Sequence, residues 1–140
     1  MKHKVYIAGG WFSSTQELAL CVIEDLMRSQ DKYDFFAPRL HNKGEEGKTD
    51  WDKIFKRNID ELSECQYMIA STAGKDMGTL VEVGMFLQMK KPVIFFCLGL
   101  KGDFNLMLAK AAHRVCVSKK ELTDAIFDLA VKKKYRGSIE

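Results

Sequence analysis

Five short apolar runs, separated by stretches of helical length, constrain this chain more than any other feature. Val5-Tyr6-Ile7-Ala8, Tyr67-Met68-Ile69-Ala70, Pro92-Val93-Ile94-Phe95-Phe96 and Arg114-Val115-Cys116-Val117 are rich in β-branched and aromatic residues, and Phe35-Phe36-Ala37 adds a shorter run. Their hydrophobicity is continuous rather than alternating, the pattern of strands buried on both faces. The stretches between them carry helical spacing. Ser14 or Thr15 is expected to cap a helix with apolar positions Leu18, Cys21, Val22 and Leu26, and Thr49 another with Ile54, Ile59 and Leu62. A third helix is expected from about Thr79 to Met89 and the last from about Lys119 to Val131. Strands joined by helical connections close as right-handed βαβ crossovers. The expected fold is therefore α/β: one domain over residues 1–140, a doubly wound, flavodoxin-like sheet of five parallel strands with helices on both faces. Such sheets bind ligands beyond the carboxyl ends of their strands at the topological switch point. Chemistry is then expected in residues 9–14, 38–49, 71–82 and 98–107.

Composition narrows the function classes. A chain of 140 residues that is 46% hydrophobic can bury a core without disulfides or metals. Its 22 basic and 19 acidic side chains leave a formal charge of +3, too mild and too interspersed for a nucleic-acid partner. Lys132-Lys133-Lys134, with Arg136 beyond, reads as the solvated end of the last helix. No apolar run approaches the roughly 18 residues of a membrane span. Cys21, Cys65, Cys97 and Cys116 form no C-x-x-C pair, which argues against zinc and dithiol redox chemistry and for reduced thiols. The apolar start, Val5 to Ala8, is too short for a secretory segment, so a cytoplasmic protein is expected.

Between Asp76 and Lys90 the only charged side chain is Glu82. Thr79-Leu80-Val81-Glu82 fits the S/T-x-x-E capping box, in which Glu82 reaches back to the backbone N–H of Thr79. Alternatively, the carboxylate points into the ligand crevice, ionised near the positive end of its own helix. The local pattern by itself favours the cap. Asp76 lies six residues earlier, and two carboxylates flanking one strand-to-helix turn suit glycosidic-bond chemistry, although a lone aspartate there is an ordinary turn residue. Gly9-Gly10 and the Gly74–Gly78 segment match neither a Walker A sequence nor G-x-G-x-x-G, so neither ATP nor a dinucleotide is implied, and no cofactor is expected. Trp11 and Phe12, directly after the first strand, are candidates to stack on a planar base, or else core residues, as is Trp51. The spacing of His3, His41 and His113 does not suggest a metal site. Only His41, in the loop after the second strand, falls where a ligand would sit.

These motifs, in this order, resemble the nucleoside 2-deoxyribosyltransferase family over roughly residues 4 to 110. Val5-Tyr6-Ile7-Ala8-Gly9-Gly10-Trp11-Phe12 is similar to the family's opening strand and glycine-aromatic turn. Asp76-Met77-Gly78-Thr79-Leu80-Val81-Glu82-Val83-Gly84 matches its D-x-G-x-x-x-E-x-G signature, and Asn105-Leu106-Met107 an N-L-M segment that members contribute to a neighbouring subunit's site. The resemblance overturns the cap preference and implies that Glu82 is the nucleophile on the anomeric carbon of a 2′-deoxyribonucleoside. It further implies Tyr6 beside that nucleophile, Asp76 holding a sugar hydroxyl, Gly9 and Gly78 in the turns around the substrate, and a homo-oligomer in which Asn105 and Met107 reach a neighbour. The partners implied are 2′-deoxyribonucleosides and free nucleobases. One departure stands out: where the family often has an aspartate that handles the proton of the departing base, the best register on Asn58-Ile59-Asp60-Glu61-Leu62 puts Asn58, and only a two-residue slip restores Asp60. An amide does not titrate, so acid catalysis is in question. The Arg39-Leu40-His41-Asn42 loop resembles the family's base-contacting loop only loosely.

Three functions compete on these residues. The first is base exchange on 2′-deoxyribonucleosides. The second is hydrolysis of 2′-deoxynucleoside 5′-monophosphates, which Asp76 disfavours because a carboxylate repels a phosphate dianion. The third is a non-catalytic nucleotide-binding module in which Glu82 only caps its helix.

Overall fold

The computed structural model describes residues 1–42 and 49–140. Five strands, β1 (Lys4–Ala8), β2 (Asp34–Phe36), β3 (Tyr67–Ser71), β4 (Val93–Phe96) and β5 (Arg114–Cys116), form one parallel sheet in the order β2-β1-β3-β4-β5. The expected fold class is borne out. The chain steps from β1 outward to β2, then returns to the other side of β1 at β3, so the switch point lies between β1 and β3. Alternate side chains of each strand serve opposite layers. Val5, Ile7, Ile69, Ile94 and Phe96 pack under α1 (Ser14–Arg28) and α6 (Lys119–Phe127). Tyr6, Ala8, Met68, Ala70, Val93 and Phe95 pack on the other face. That face is covered by α3 (Trp51–Glu64), α4 (Met77–Gln88) and α5 (Leu106–Ala111). A one-turn α2 (Pro38–His41) follows β2.

Several local expectations are corrected. The caps are Ser13 on α1 and Asp76 on α4, one to three residues earlier than expected, and Asp50 on α3, one residue later. The capping box at Thr79 is not formed. Asp76 Oδ2 accepts from both the backbone N–H and the hydroxyl of Thr79, each at 2.9 Å, so Thr79 is the third residue of the helix rather than its cap, and Glu82 is released from any capping role. Residues 98–107 are not all loop, since Asn105 caps the six-residue α5, too short for hydrophobic periodicity to announce it. The last helix ends at Phe127 rather than near Val131. Asp128 turns extended, Leu129 is buried, and the Leu129 N–H donates to the Tyr33 hydroxyl at 3.0 Å. The lysines at 132–134 are therefore not a helix end. They lie in an irregular tail whose Lys133 N–H bonds the His113 carbonyl at 3.0 Å and whose Ser138 and Glu140 pair with Phe104.

Cys65, Cys97 and Cys116 are buried free thiols, and burial pushes them up to about 12, about 11 and about 11 respectively, so they stay protonated as small hydrophobes. Among the described residues no helix is long and apolar enough to cross a membrane.

Candidate active site

The crevice beyond β1 and β3 is built by two strand-to-helix turns packed against each other. Gly10 is buried, and a Cβ there would stand 3.0 Å from Asp76 Cβ and 2.6 Å from Gln16 Nε2. Only a glycine lets the β1–α1 turn approach the β3–α4 turn this closely. Gln16 locks the two together: its Oε1 accepts from the Phe12 N–H at 2.8 Å and its Nε2 donates to the Ala73 carbonyl at 3.3 Å. Gly74 sits beneath it with φ +71°. Gln16 was not singled out from the sequence, yet Ser13-Ser14-Thr15-Gln16 is an S-x-x-Q box. Ser13 caps as that box requires, while the glutamine serves the neighbouring turn instead of its own cap residue.

Tyr6 and Glu82, 76 residues apart, meet where β1 passes under α4, and the Tyr6 hydroxyl donates to Glu82 Oε2. Tyr6 is fully buried, and burial, followed by the neighbouring Glu82 charge, holds its hydroxyl well above the usual tyrosine range. Tyr6 is thus a fixed, uncharged donor. Glu82 is half-buried in the second turn of α4. Burial raises it to about 7, the Tyr6 hydrogen bond opposes that rise, and the Asp76 charge adds to it. Two carboxylates and one phenol therefore share the crevice. With Oε2 committed to Tyr6, Oε1 is the oxygen without a hydrogen bond among the described residues. Asp76 likewise uses Oδ2 alone for its cap, and its Oδ1 has no hydrogen bond among the described residues. Gly78, in the first turn of α4, is exposed beside that carboxylate.

Other predicted residues flank this centre. Gly9 is half-buried, with no room for a Cβ against Leu20. Trp11 and Phe12 are 40% and 77% exposed and stack on one another with centroids 5.4 Å apart, so both aromatic faces are at the surface rather than in the core. Trp51 opens α3 and is exposed. Asn58 is half-buried and accepts from Asn42 Nδ2 at 2.8 Å, whereas Asp60 is exposed and paired with Lys56 at 2.8 Å. The helix face that meets the loop after β2 thus carries the amide, not the carboxylate. His41, expected in a loop, is the last residue of the one-turn α2 that precedes Asn42. Asn105 and Met107 make no hydrogen bond to Tyr6, Asp76 or Glu82 among the described residues. Asn105 caps α5 through Leu108 N at 3.1 Å, and Met107 is exposed. Arg39, within the loosely matching loop, turns away to Glu24 of α1, a carboxylate 1% exposed, in an ion pair the sequence did not announce.

A parallel five-stranded sheet with a buried tyrosine on a crevice glutamate at its switch point defines an α/β protein organised around a carboxylate of raised proton affinity. A family model described as nucleoside 2-deoxyribosyltransferase matches residues 5–123. The chain belongs to the nucleoside 2-deoxyribosyltransferase family. Solved structures share the fold. A 2-deoxyribosyltransferase from Bacillus psychrosaccharolyticus is 22% identical, covering 95% of this chain and 99% of its own, with a TM-score of 0.80. A 2-desoxiribosyltransferase from Leishmania mexicana is 24% identical, covering 79% of this chain and 73% of its own, at 0.53. A CMP N-glycosidase from Clostridium botulinum is 14% identical, covering 89% of this chain and 99% of its own, at 0.58. No curated protein matches the chain in sequence.

Proposed function

We propose that this protein exchanges bases on 2′-deoxyribonucleosides by double displacement through a covalent Glu82 ester. The observation that carries the reading is the Tyr6–Glu82 pair beside Asp76. A carboxyl near 7 is about half ionised at neutral pH, and Tyr6 orients it with one oxygen free. Oε1 attacks the anomeric carbon, the glycosidic electron pair leaves with the base, and a second base then displaces Glu82 with net retention. Asp76 Oδ1 accepts a sugar hydroxyl, and Trp11 or Phe12 lends an aromatic face to the base. Its charge favours unphosphorylated nucleosides over nucleotides.

The exposed Asn105 and Met107 belong in this reading to a neighbouring subunit's crevice, so the active form is a homo-oligomer. The test is incubation with deoxyinosine or thymidine, with and without adenine, followed by chromatography. New deoxyadenosine is the expected product. Free base formed equally well without an acceptor identifies a hydrolase instead, and no turnover of any deoxynucleoside or its monophosphate refutes both. Glu82→Ala should abolish turnover without unfolding the chain.

A further inference from the structure

The loop after β2 holds a histidine whose proton position is already assigned. The Ala37 N–H donates to His41 Nδ1 at 2.9 Å, so the neutral ring carries its proton on Nε2. His41 is exposed, and among the described residues Nε2–H has no partner. The ring stacks on Phe36, centroids 5.4 Å apart at 23°, and Phe36 lies 5.5 Å from the ring of Tyr6, which holds Glu82. The four-residue α2 could not hold this pose alone. Three side-chain clamps hold it: Arg39 to buried Glu24, Arg57 to the His41 carbonyl, and Asn42 to Asn58.

We propose that His41 Nε2–H is the hydrogen-bond donor to the departing base, taking the place of a titrating acid, and that it selects 6-oxopurine 2′-deoxynucleosides. The inference rests on the deoxyribosyl-transfer reading of the site. The α3 position facing the loop is the amide of Asn58, and Asp60 points to solvent. Burial lowers the proton affinity of His41, Arg57 of α3 and Lys4 of β1 lower it further, and Glu61 of α3 opposes them. An added proton would also displace the Ala37 N–H from Nδ1. Asn58 Oδ1 already accepts from Asn42, while its two amide N–H donors have no partner among the described residues. Two neutral donors match an edge of two acceptors, N7 and O6, whereas the amino group of adenine would meet a donor there, so adenine is the slower acceptor of the two purine types rather than an excluded one. In the step itself Glu82 Oε1 bonds to the anomeric carbon, the N9 bond breaks, and the electron pair stays on the base. Nε2–H binds the resulting anion at N7 without being transferred, and the base takes its proton from water after release.

The test compares 2′-deoxyinosine, its 7-deaza analogue and deoxyadenosine on wild type, His41→Phe and His41→Gln. Phenylalanine keeps the stacking on Phe36 and removes the donor, so kcat/KM for deoxyinosine should fall by about 10- to 100-fold, the effect of losing a bond to a charged partner. Glutamine, which keeps an N–H and cannot titrate, should restore most of the rate with an unaltered profile from about pH 5 to about pH 8. The 7-deaza analogue should be slow with wild type and no slower with His41→Phe. Equal losses on both substrates, no loss at all, or a wild-type preference for deoxyadenosine would overturn the proposal. If wild type turns over no deoxynucleoside, the transfer reading alone fails. Nitrogen-15 NMR then decides: hypoxanthine must shift the His41 Nε2 resonance, and an unmoved resonance overturns the inference.

Discussion

Removing one hydroxyl, Tyr6→Phe, isolates what the buried phenol does for Glu82. The substitution leaves the ring in its packing beside Phe36 and deletes only the donor to Glu82 Oε2. Burial already raises Glu82 to about 7, with the Tyr6 bond acting against the rise, so its loss drives the carboxyl higher still. A hydrogen bond to a charged group is worth about 1.5–3 kcal/mol, which multiplies the carboxyl's proton affinity about 10- to 100-fold. At pH 7 the ionised fraction then falls from about a half to between about a tenth and about a hundredth. If the carboxylate is the nucleophile, kcat/KM at pH 7 falls about 5- to 50-fold. The assay is the pH–rate profile of base release from a 2′-deoxyribonucleoside for both proteins. The variant's rising limb should move to higher pH, and its rate should approach that of wild type on the alkaline side. A variant that loses activity with an unmoved limb would refute the reasoning, because Tyr6 would then act on something other than Glu82 ionisation.

Two further outcomes bear on the same residues. Because Glu82 binds its proton more tightly in the folded chain than in the unfolded one, it favours folding below its unfolded value of 4.5 and loses that contribution as pH rises through about 7. Glu82→Gln should therefore flatten the decline of stability between those limits, by about 3 kcal/mol at most, in denaturant titrations over the range. A slope equal to wild type would mean that Glu82 is not buried as described. Asp76→Ala should cost about 1 kcal/mol through the lost cap of α4, while Asp76→Asn should cap nearly as well. If Asp76 also holds a sugar hydroxyl, the asparagine variant keeps its melting temperature and still binds nucleoside more weakly, seen as a raised KM. Unchanged KM would leave Asp76 as a cap only.

Much of this arrangement was legible in the chain itself. Continuous apolar runs mark strands buried on both sides whatever lies around them, and the D-x-G-x-x-x-E-x-G spacing puts Asp76 and Glu82 at one strand-to-helix turn. The caps were harder, because serine, threonine and aspartate compete for the same role over two or three residues. Ser13 beside Ser14 and Asp50 beside Thr49 are local near-ties, decided by which side chain the incoming strand or loop turns toward the helix. The six-residue α5 and the one-turn α2 are too short to carry a period. Gln16 and the Glu24–Arg39 pair belong to contacts between elements, and only an unexpected polar residue on the apolar face of α1 hinted at them.

The deciding case is Glu82. Its immediate sequence neighbourhood favours a capping box over a crevice nucleophile, although both need a glutamate near a helix start. Continuous apolar runs and helical periods determine the α/β sheet by themselves, because burial on one face or two is a property of a segment's own side chains. Whether Glu82 turns back to Thr79 or toward Tyr6 depends on which face of α4 meets β1, and on Asp76 already having claimed Thr79. That choice is made by packing between residues 76 positions apart, and only the folded chain brings them together.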